Sequence, residues 1–383
     1  MARILAVTWD GGGNVPPLLG ITAELLARHH DVRVLGHPSQ RATVEAAGAT
    51  FVPHRHARPW SPTTPVSDVR RARDLITLFS EPGPGRDVAA ELDGPAPPDL
   101  VLVDGMRLAA LQAAVRSPVP TVALVHTFHR YLTRVWARGP VGLLATLRGR
   151  RPGPLWNACE RVLVATDADL DPVGPGSGNL RWTGAVQAGP RPVARGTTST
   201  VLVSLSTIFY PTQAAVLQNV LDGLAELDVH VVVATGPVVD PGDLRAGANA
   251  ELHRHLAHDA VMPAASVLVG HGGHATTMRA LAHDLPVLTI PLDPHLDHRM
   301  IGEAVRAAGA GLVLETGASP TAIRDATRTL LDDPAHRTAA EVLGARLRST
   351  DGAARAADEI EAVLGGARSP STSTSAERDH GRP

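Results

Sequence analysis

Short runs of consecutive apolar residues alternate along the first half of the chain with segments in which apolar residues recur every three to four positions. The first apolar run covers residues 2–8, and the first helical segment, residues 18–28, follows a turn rich in glycine and proline. Strands that alternate with helices in this way predict βαβ units and a parallel sheet. The same pattern predicts further strands at residues 31–35, 100–103, 121–125 and 161–165.

The pattern stops at residues 185–199, where Gly, Pro and Thr are frequent, and starts again directly afterwards. In the second half it predicts strands at residues 201–204, 229–234, 267–269 and 287–290, and helices at 213–225 and 275–281. We therefore expect an α/β fold of two Rossmann-like domains whose parallel sheets face each other across a cleft. The predicted divisions are an N-terminal domain (1–185), a linker (186–200), a C-terminal domain (201–365) and a disordered tail (366–383).

Composition excludes several functional classes. A formal net charge of −2 gives the chain no basic field for a nucleic-acid backbone. A single cysteine, Cys159, excludes an intramolecular disulfide and a multi-cysteine zinc site. No apolar run reaches the roughly 18 residues that a membrane span needs, and the N-terminus lacks the pattern of a signal peptide. We expect a cytoplasmic protein that binds neither nucleic acid nor membrane, and the sequence leaves a homodimer open.

The most informative segment covers residues 267–281 and reads VLVGHGGHATTMRAL. A strand ends at Val269, a glycine-rich turn follows, and a helix begins near His274. Glycines let a ligand approach the backbone closely, and the free N–H groups of a helix start attract anions, so the turn suits a diphosphate. Asp297 follows the next predicted strand at the same crevice, where a carboxylate can accept hydrogen bonds from sugar hydroxyls.

With these residues the second half resembles the donor domain of the inverting GT-B glycosyltransferases that decorate bacterial natural products, members of the UDP-glycosyltransferase family. The family's His-small-Gly-x-Gly-Thr turn and downstream Asp-Gln read here His271-Gly272-Gly273-His274-Ala275-Thr276 and Asp297-His298. The resemblance spans residues 1 to about 365. It implies an enzyme of antibiotic or other secondary metabolism that needs no metal or cofactor. Its donor would be a TDP- or UDP-linked sugar, and its acceptor a small natural product.

The resemblance also implies which residues bind the donor. Amides of the glycine turn and Thr276 would hold the diphosphate, and His271 would donate to it. Asp297 would bind sugar hydroxyls, and the backbone near Leu256 would hold the base. The implied donor-binding residues are Ser206, Thr207, Leu256, His271, Gly272, Gly273, His274, Ala275, Thr276, Asp297 and His298. Ala275 replaces the family's second glycine, His298 replaces its Gln, and two additional residues precede Asp297, which affects the identity of the sugar.

The first βα turn departs from the family at the catalytic base. The family carries a histidine there in Gly-His-Val-x-Pro, oriented by an aspartate on a later strand, whereas this chain has Asn14 between Gly13 and Val15. An amide can position a substrate but cannot take its proton. Asp104 matches the orienting acid. One interpretation makes Asp104, Asp10 or His126 a displaced base.

Two other interpretations of the missing histidine stay open. The acceptor can be an amine, a thiolate or a carbanion-like carbon that needs little or no base, which would give an N-, S- or C-linked product. Alternatively, catalysis at this site is weak or absent. A nucleotide-sugar 2-epimerase and a non-catalytic nucleotide-sugar-binding auxiliary protein are therefore the alternative functions.

Acceptor binding is expected in the first domain, because loops at strand ends form sites of this kind. The candidate acceptor-binding residues are Gly13, Val15, Trp60, His129 and Trp136. The glycines at 11–13 lack the third glycine of a dinucleotide-binding fingerprint, so we expect no NAD. The His and Asp residues near positions 54–56 and 293–298 lie on loops at a spacing that chance explains, so we expect no metal site.

Overall fold

The computed structural model describes residues 1–172, 178–186 and 199–368. Most of the predicted linker (187–198) and of the predicted tail (369–383) lies outside the described residues. Among the helices that are described, none is both long and apolar enough to cross a membrane.

Within the described residues, the first half of the chain forms a parallel sheet of seven strands in the order β3-β2-β1-β4-β5-β6-β7. The strands are β1 (Arg3–Val7), β2 (Asp31–Gly36), β3 (Thr50–Pro53), β4 (Leu100–Asp104), β5 (Thr121–Val125), β6 (Arg161–Val164) and β7 (Leu180–Trp182). The helices are α1 (Val15–Ala27), α2 (Arg41–Ala46), α3 (Asp68–Ser80), α4 (Gly83–Leu92), α5 (Leu108–Val115), α6 (His129–Arg134), α7 (Pro140–Leu147) and α8 (Pro152–Asn157).

The second half forms a parallel sheet of six described strands in the order β10-β9-β8-β11-β12-β13. These are β8 (Thr200–Ser204), β9 (His230–Ala234), β10 (Ala250–His253), β11 (Val267–Gly270), β12 (Val287–Thr289) and β13 (Gly311–Val313). The helices are α9 (Gln213–Leu224), α10 (His258–Val261), α11 (His274–Ala282), α12 (His298–Ala307), α13 (Pro320–Asp332), α14 (Pro334–Arg348) and α15 (Gly352–Arg368). The predicted fold class, two α/β domains with parallel sheets, is confirmed.

Burial explains why the apolar runs form these strands. Every residue of β4 and β5 is buried, because helices cover both faces of a parallel sheet. All predicted strands are present, and β5 has the predicted bounds. The sequence pattern missed β3, β7, β10 and β13, which are only three or four residues long and stand at or near the sheet edges.

The last helix, α15, lies against the first sheet although it follows the second sheet in the chain. Ala356, Ile360 and Leu364 belong to the core of the first domain, together with Leu18 of α1. Arg28 at the end of α1 strengthens this contact through ion pairs of 2.7 Å with Asp358 and Glu361. The predicted division at residue 365 places this helix with the second domain, whereas its packing places it on the first.

Candidate active site

The two domains meet through the loops that leave the carboxyl ends of their strands. The amide of Phe209, after β8, donates to the carbonyl of Pro62 in the first domain at 2.8 Å. Gly12, in the turn after β1, has a backbone φ of +69° and lies so close to Thr207 that a Cβ atom would collide with the threonine hydroxyl. The first turn of each sheet therefore faces the other, as predicted for a cleft between parallel sheets.

The Asp104 carboxylate, at the end of β4, organises the first-domain side of this cleft. Its Oδ2 atom accepts hydrogen bonds from the indole N–H of Trp9 at 3.1 Å and from the side-chain amide of Asn14 at 3.2 Å. Its Oδ1 atom accepts from the backbone amide of Met106 at 2.9 Å. Asn14 is buried and also accepts from the amide of Gly11, so its side chain fixes the first turn around the carboxylate.

His126 approaches the same carboxylate from the neighbouring strand. β4 pairs with β5, and His126 directly follows β5, so its ring lies beside the end of β4. Its Nδ1 atom is 3.1 Å from Oδ2 of Asp104, and its side chain is 13% exposed. The contact with Asp104 is made through Nδ1, which leaves Nε2 on the far side of the ring from the carboxylate. A histidine held by a carboxylate at one nitrogen, with the other nitrogen facing away from it, has the arrangement of a general base.

Burial and charge act against each other on this pair. Burial acts to lower the pKa of His126, but the carboxylates of Asp104 and Asp297 outweigh it and raise the pKa above its usual value. Burial acts to raise the pKa of Asp104, but the charge of His126 and the hydrogen bonds around the carboxylate lower it. Asp104 is therefore the anion of the pair and His126 the group that gains and loses the proton.

Asp10, the third base candidate, lies outside this network. Its carboxylate accepts a hydrogen bond of 2.6 Å from the hydroxyl of Ser39, and its backbone carbonyl accepts from the indole of Trp60 at 2.5 Å. Among the described residues, the structure brings Asn14, Asp104 and His126 together and leaves Asp10 at the edge of the turn.

The glycine turn after β11 has the backbone that a close ligand requires. Gly272 has a φ of +87°, and a Cβ atom on it would collide with the carbonyl of His298. Gly273 is the N-cap of α11 and has no side chain that could cap the first amides of the helix. Ala275 and Thr276 lie in the first turn of α11 and are half-buried. This backbone geometry is compatible with the predicted anion site, which stays a prediction.

Three histidines surround this turn and are buried. The rings of His271 and His298 are 4.6 Å apart. The Nδ1 atoms of both, and both ring nitrogens of His274, have no hydrogen-bond partner among the described residues. Burial lowers the pKa of His271 to about 4, and burial together with the charge of His126 lowers that of His274 to about 3. The turn therefore offers neutral imidazoles with free nitrogens rather than positive charges.

The remaining predicted donor residues line the ends of the neighbouring strands. Ser206 and Thr207 follow β8, and the Ser206 hydroxyl accepts from the amide of Ile208 at 3.1 Å. Leu256 precedes α10, whose first residue His258 is 2.9 Å from the hydroxyl of Ser204. These positions follow the carboxyl ends of β8 and β10 in the second sheet.

Asp297, the predicted sugar-binding residue, is linked to the first domain. The hydroxyl of Thr127 donates to its carboxylate, and Thr127 is the neighbour of His126. Burial raises the pKa of Asp297, although the bond from Thr127 and the charge of His126 oppose this effect. The loop before α12 thus ends within the same group of residues as the His126–Asp104 pair.

A cavity of about 450 Å³ lies between the two domains on the first-domain side. It is lined by the loop at residues 58–66, by α3, and by Ile208 and Phe209. Among the predicted acceptor residues, Trp60 lines this cavity, Gly13 faces open space, and Val15 is buried at the start of α1. Trp136 packs against Phe79 and Trp156 in the core, and the amide of His129 donates to Asp171.

Some residues of the site were not identified from the sequence. Trp9 holds Asp104, and its position in the turn after β1 was a signal that could have identified it. Thr127, Tyr210 and Arg71 make contacts near the donor turn, and no motif marks them. His54 and His56, which invited a metal interpretation, both contact Asp87. In the described part of the chain no group of three or more candidate metal ligands is found.

Comparisons with known proteins agree with this architecture. A family model described as erythromycin biosynthesis protein CIII-like, C-terminal domain, matches residues 218–363. The chain is 24% identical to 4'-demethylrebeccamycin synthase of Lentzea aerocolonigenes over 435 residues, which covers 95% of this chain and 100% of that protein. Among solved structures, the calicheamicin glycosyltransferase CalG4 superposes with a TM-score of 0.77 at 25% identity, covering 95% of this chain and 98% of CalG4.

The kitacinnamycin glycosyltransferase has a TM-score of 0.77 at 26% identity, and the match covers 95% of this chain and 99% of that chain. Each of these matches covers 95% of this chain and therefore spans both domains. The chain is therefore a glycosyltransferase with the GT-B fold that resembles the bacterial natural-product glycosyltransferases of antibiotic biosynthesis.

Proposed function

We propose that the protein transfers a sugar, with inversion at C1, from a TDP- or UDP-sugar to a hydroxyl group of a small natural product, and that His126 is the general base. The observation that carries this proposal is the pair formed by His126 and Asp104. One ring nitrogen is held 3.1 Å from the carboxylate, and the other lies on the far side of the ring. This arrangement favours the interpretation in which the base is displaced from the first turn.

In the proposed reaction the acceptor hydroxyl gives its proton to Nε2 of His126 as its oxygen attacks C1 of the sugar. The bond between C1 and the diphosphate oxygen breaks on the opposite face, and the nucleoside diphosphate leaves with that electron pair. Asp104 holds the Nδ1–H of the ring and stabilises the imidazolium that forms. The amides at the start of α11 stabilise the negative charge that develops on the leaving group.

Asn14 has a supporting role in this proposal. Its amide donates to Asp104 and accepts from Gly11, so it keeps the carboxylate and the first turn in place without exchanging a proton. The family's histidine would reach the same carboxylate from this position. The acid is therefore retained at the end of β4, and the base comes from the end of β5 instead of the turn after β1.

The donor assignment depends on the second domain. The glycine turn, the first amides of α11 and the free nitrogens of His271 and His298 form a set of neutral donors around one crevice. Such a set suits the oxygens of a diphosphate. In this proposal Asp297, at the end of the following loop, accepts hydrogen bonds from sugar hydroxyls.

The test compares His126→Ala with the wild-type enzyme on paired hydroxyl and amine acceptors, using TDP- and UDP-sugars. The matched control is His29→Asn. His29 is exposed just before β2, at the amino ends of the strands and away from the site, and asparagine tolerates its φ of +64°. We expect His126→Ala to lose hydroxyl transfer by about 100- to 10,000-fold, the usual contribution of general base catalysis, and to retain more of any amine transfer.

Other outcomes would reject the proposal in different ways. Equal hydroxyl transfer by His126→Ala and the control would show that His126 is not the base. Wild-type transfer to amines alone would favour an acceptor that needs no base. Donor turnover without acceptor would indicate an epimerase, and nucleotide-sugar binding without any turnover would indicate an auxiliary protein.

A further inference from the structure

We propose that Arg71, on α3 of the first domain, binds the diphosphate of the donor across the cleft. In this proposal Arg71 exchanges its ion pair with Asp293 for the donor phosphates when the nucleotide sugar binds. The proposal rests on the function proposed above, because it assumes that the second domain binds a nucleoside diphosphate.

Arg71 reaches from the first domain into the donor side of the cleft. Its Nη1 atom is 2.6 Å from Oδ2 of Asp293, and its side chain is only 12% exposed. Its guanidinium lies 4.2 Å from the centre of the Tyr210 ring. The Nη2 atom is buried and has no hydrogen-bond partner among the described residues. A buried N–H group of a cation without an acceptor is unfavourable, and a ligand oxygen would satisfy it.

Tyr210 connects Arg71 to the glycine turn. The Tyr210 ring is 5.5 Å from the ring of His298 and 6.5 Å from that of His271. Burial is the main cause of the lowered pKa of His298, and the charges of His271 and then Arg71 contribute to it. The guanidinium therefore lies next to the histidines that border the proposed diphosphate site, and its positive charge disfavours protonation of His298.

A diphosphate bound in this region would need a positively charged partner. A diphosphate brings at least two negative charges, and burial keeps His271, His274 and His298 neutral. The sequence contains no lysine, so a permanent positive charge in this protein is an arginine or the chain terminus. Asp293 and Asp297 add negative charge to the same loop. Arg71 supplies a planar guanidinium whose paired N–H groups match two phosphate oxygens.

The present partner of Arg71 is compatible with this exchange. Asp293 also accepts a hydrogen bond of 2.8 Å from the amide of His295, so its carboxylate stays engaged when Arg71 turns away. The charge of Arg71 is paired with a carboxylate in one state and with phosphates in the other. Because the arginine belongs to the first domain and the turn to the second, the donor would hold the two domains together.

The experiment measures the binding of TDP, UDP, the corresponding monophosphates and the nucleosides to wild-type enzyme and to Arg71→Ala and Arg71→Lys. The control is Arg73→Ala, which removes an exposed arginine two residues further along the same helix. We expect Arg71→Ala to weaken diphosphate binding by about 10- to 100-fold, the effect of losing a charged hydrogen bond, and to leave nucleoside binding unchanged. Arg71→Lys should recover part of the loss, and Arg73→Ala should match wild type.

A second variant separates phosphate binding from a purely interdomain contact. Asp293→Asn frees Arg71 from its ion pair and should bind the diphosphate as tightly as wild type or more tightly. Equal weakening of nucleoside, monophosphate and diphosphate by Arg71→Ala and Asp293→Asn would show that the pair only joins the domains, and would overturn the proposal. Wild-type enzyme that binds neither TDP nor UDP would instead reject the proposed function itself.

Discussion

Replacement of Asp104 by asparagine tests the proposed base directly. The carboxylate accepts hydrogen bonds from Trp9, Asn14 and Met106 and lies 3.1 Å from Nδ1 of His126. An asparagine has a similar shape but only one acceptor oxygen and no charge. The substitution therefore removes the anion beside His126. It also places an NH₂ group where one of the donors contacts a carboxylate oxygen in the wild-type enzyme.

The size of the effect follows from these contacts. The charge of Asp104 and its hydrogen bond raise the pKa of His126, so loss of the carboxylate should lower that pKa. Asp297 is expected to offset only part of the change. At least one buried donor loses its acceptor, which costs about 1–3 kcal/mol of folding stability. Loss of the correct ring tautomer should also lower the plateau rate by about 100-fold or more.

The assay is the pH dependence of kcat/KM for a hydroxyl acceptor, with thermal unfolding as a check on folding. His126 must be neutral to accept a proton, so activity should rise with pH through its raised pKa in the wild-type enzyme. In Asp104→Asn this acidic limb should move to lower pH while the plateau falls. Asp10→Asn is the comparison, because that carboxylate bonds to Ser39 outside the network. An unmoved limb with an unchanged plateau in Asp104→Asn would refute the assignment of His126 and Asp104.

Three further substitutions test the surrounding structure. Gly272→Ala should destabilise the fold by more than the roughly 1–2 kcal/mol of left-handed backbone strain, because the Cβ of the alanine would also meet the carbonyl of His298. The nucleotide affinity, measured by titration, should fall together with the stability. Burial acts to raise the pKa of Asp87, but hydrogen bonds from two histidines outweigh it and lower the pKa to about 2. The charged carboxylate therefore adds about 2 kcal/mol of folding stability above pH 4, and this stability is lost as the pH falls towards 2. In urea unfolding, Asp87→Asn should lose less stability than the wild type over that pH range. Ile360→Ala, in the fully buried face of α15, should cost about 2–5 kcal/mol in urea unfolding, whereas a helix that contributes nothing to the first domain would give a value near zero.

The sequence predicted the fold because the central strands are buried on both faces and therefore appear as continuous apolar runs. β4 and β5 are of this kind. Short strands such as β3 and β13 contain too few residues for a periodic pattern, and their pairing depends on neighbours that are distant in the chain. The packing of α15 on α1 could not be predicted either, because an apolar helix face does not specify which of two sheets it covers.

The sequence analysis proposed individual residues of the candidate site but could not predict how they are arranged. Asn14 and Asp104 were identified by comparison with the family's pattern and His126 as one of three candidate bases, but three interpretations of the missing histidine stayed open. The structure favours one because β4 lies between β1 and β5, which brings all three residues to one edge of the sheet. Arg71 was missed because its role depends on how the two domains meet, and no local pattern in α3 records that orientation.

The central position of β4 also explains how a base can move while its acid stays in place. A carboxylate at the end of β4 is reached from the turn after β1 on one side and from the end of β5 on the other. A histidine on either side can therefore use the same acid, and the side that lacks it needs only a hydrogen-bond donor such as Asn14. A base on the β5 side has a further consequence, because the adjacent Thr127 donates to Asp297 of the second domain. The hydrogen bond therefore joins the neighbour of the proposed base to the residue proposed to hold the donor sugar, so the two proposed roles meet where the domains are in contact.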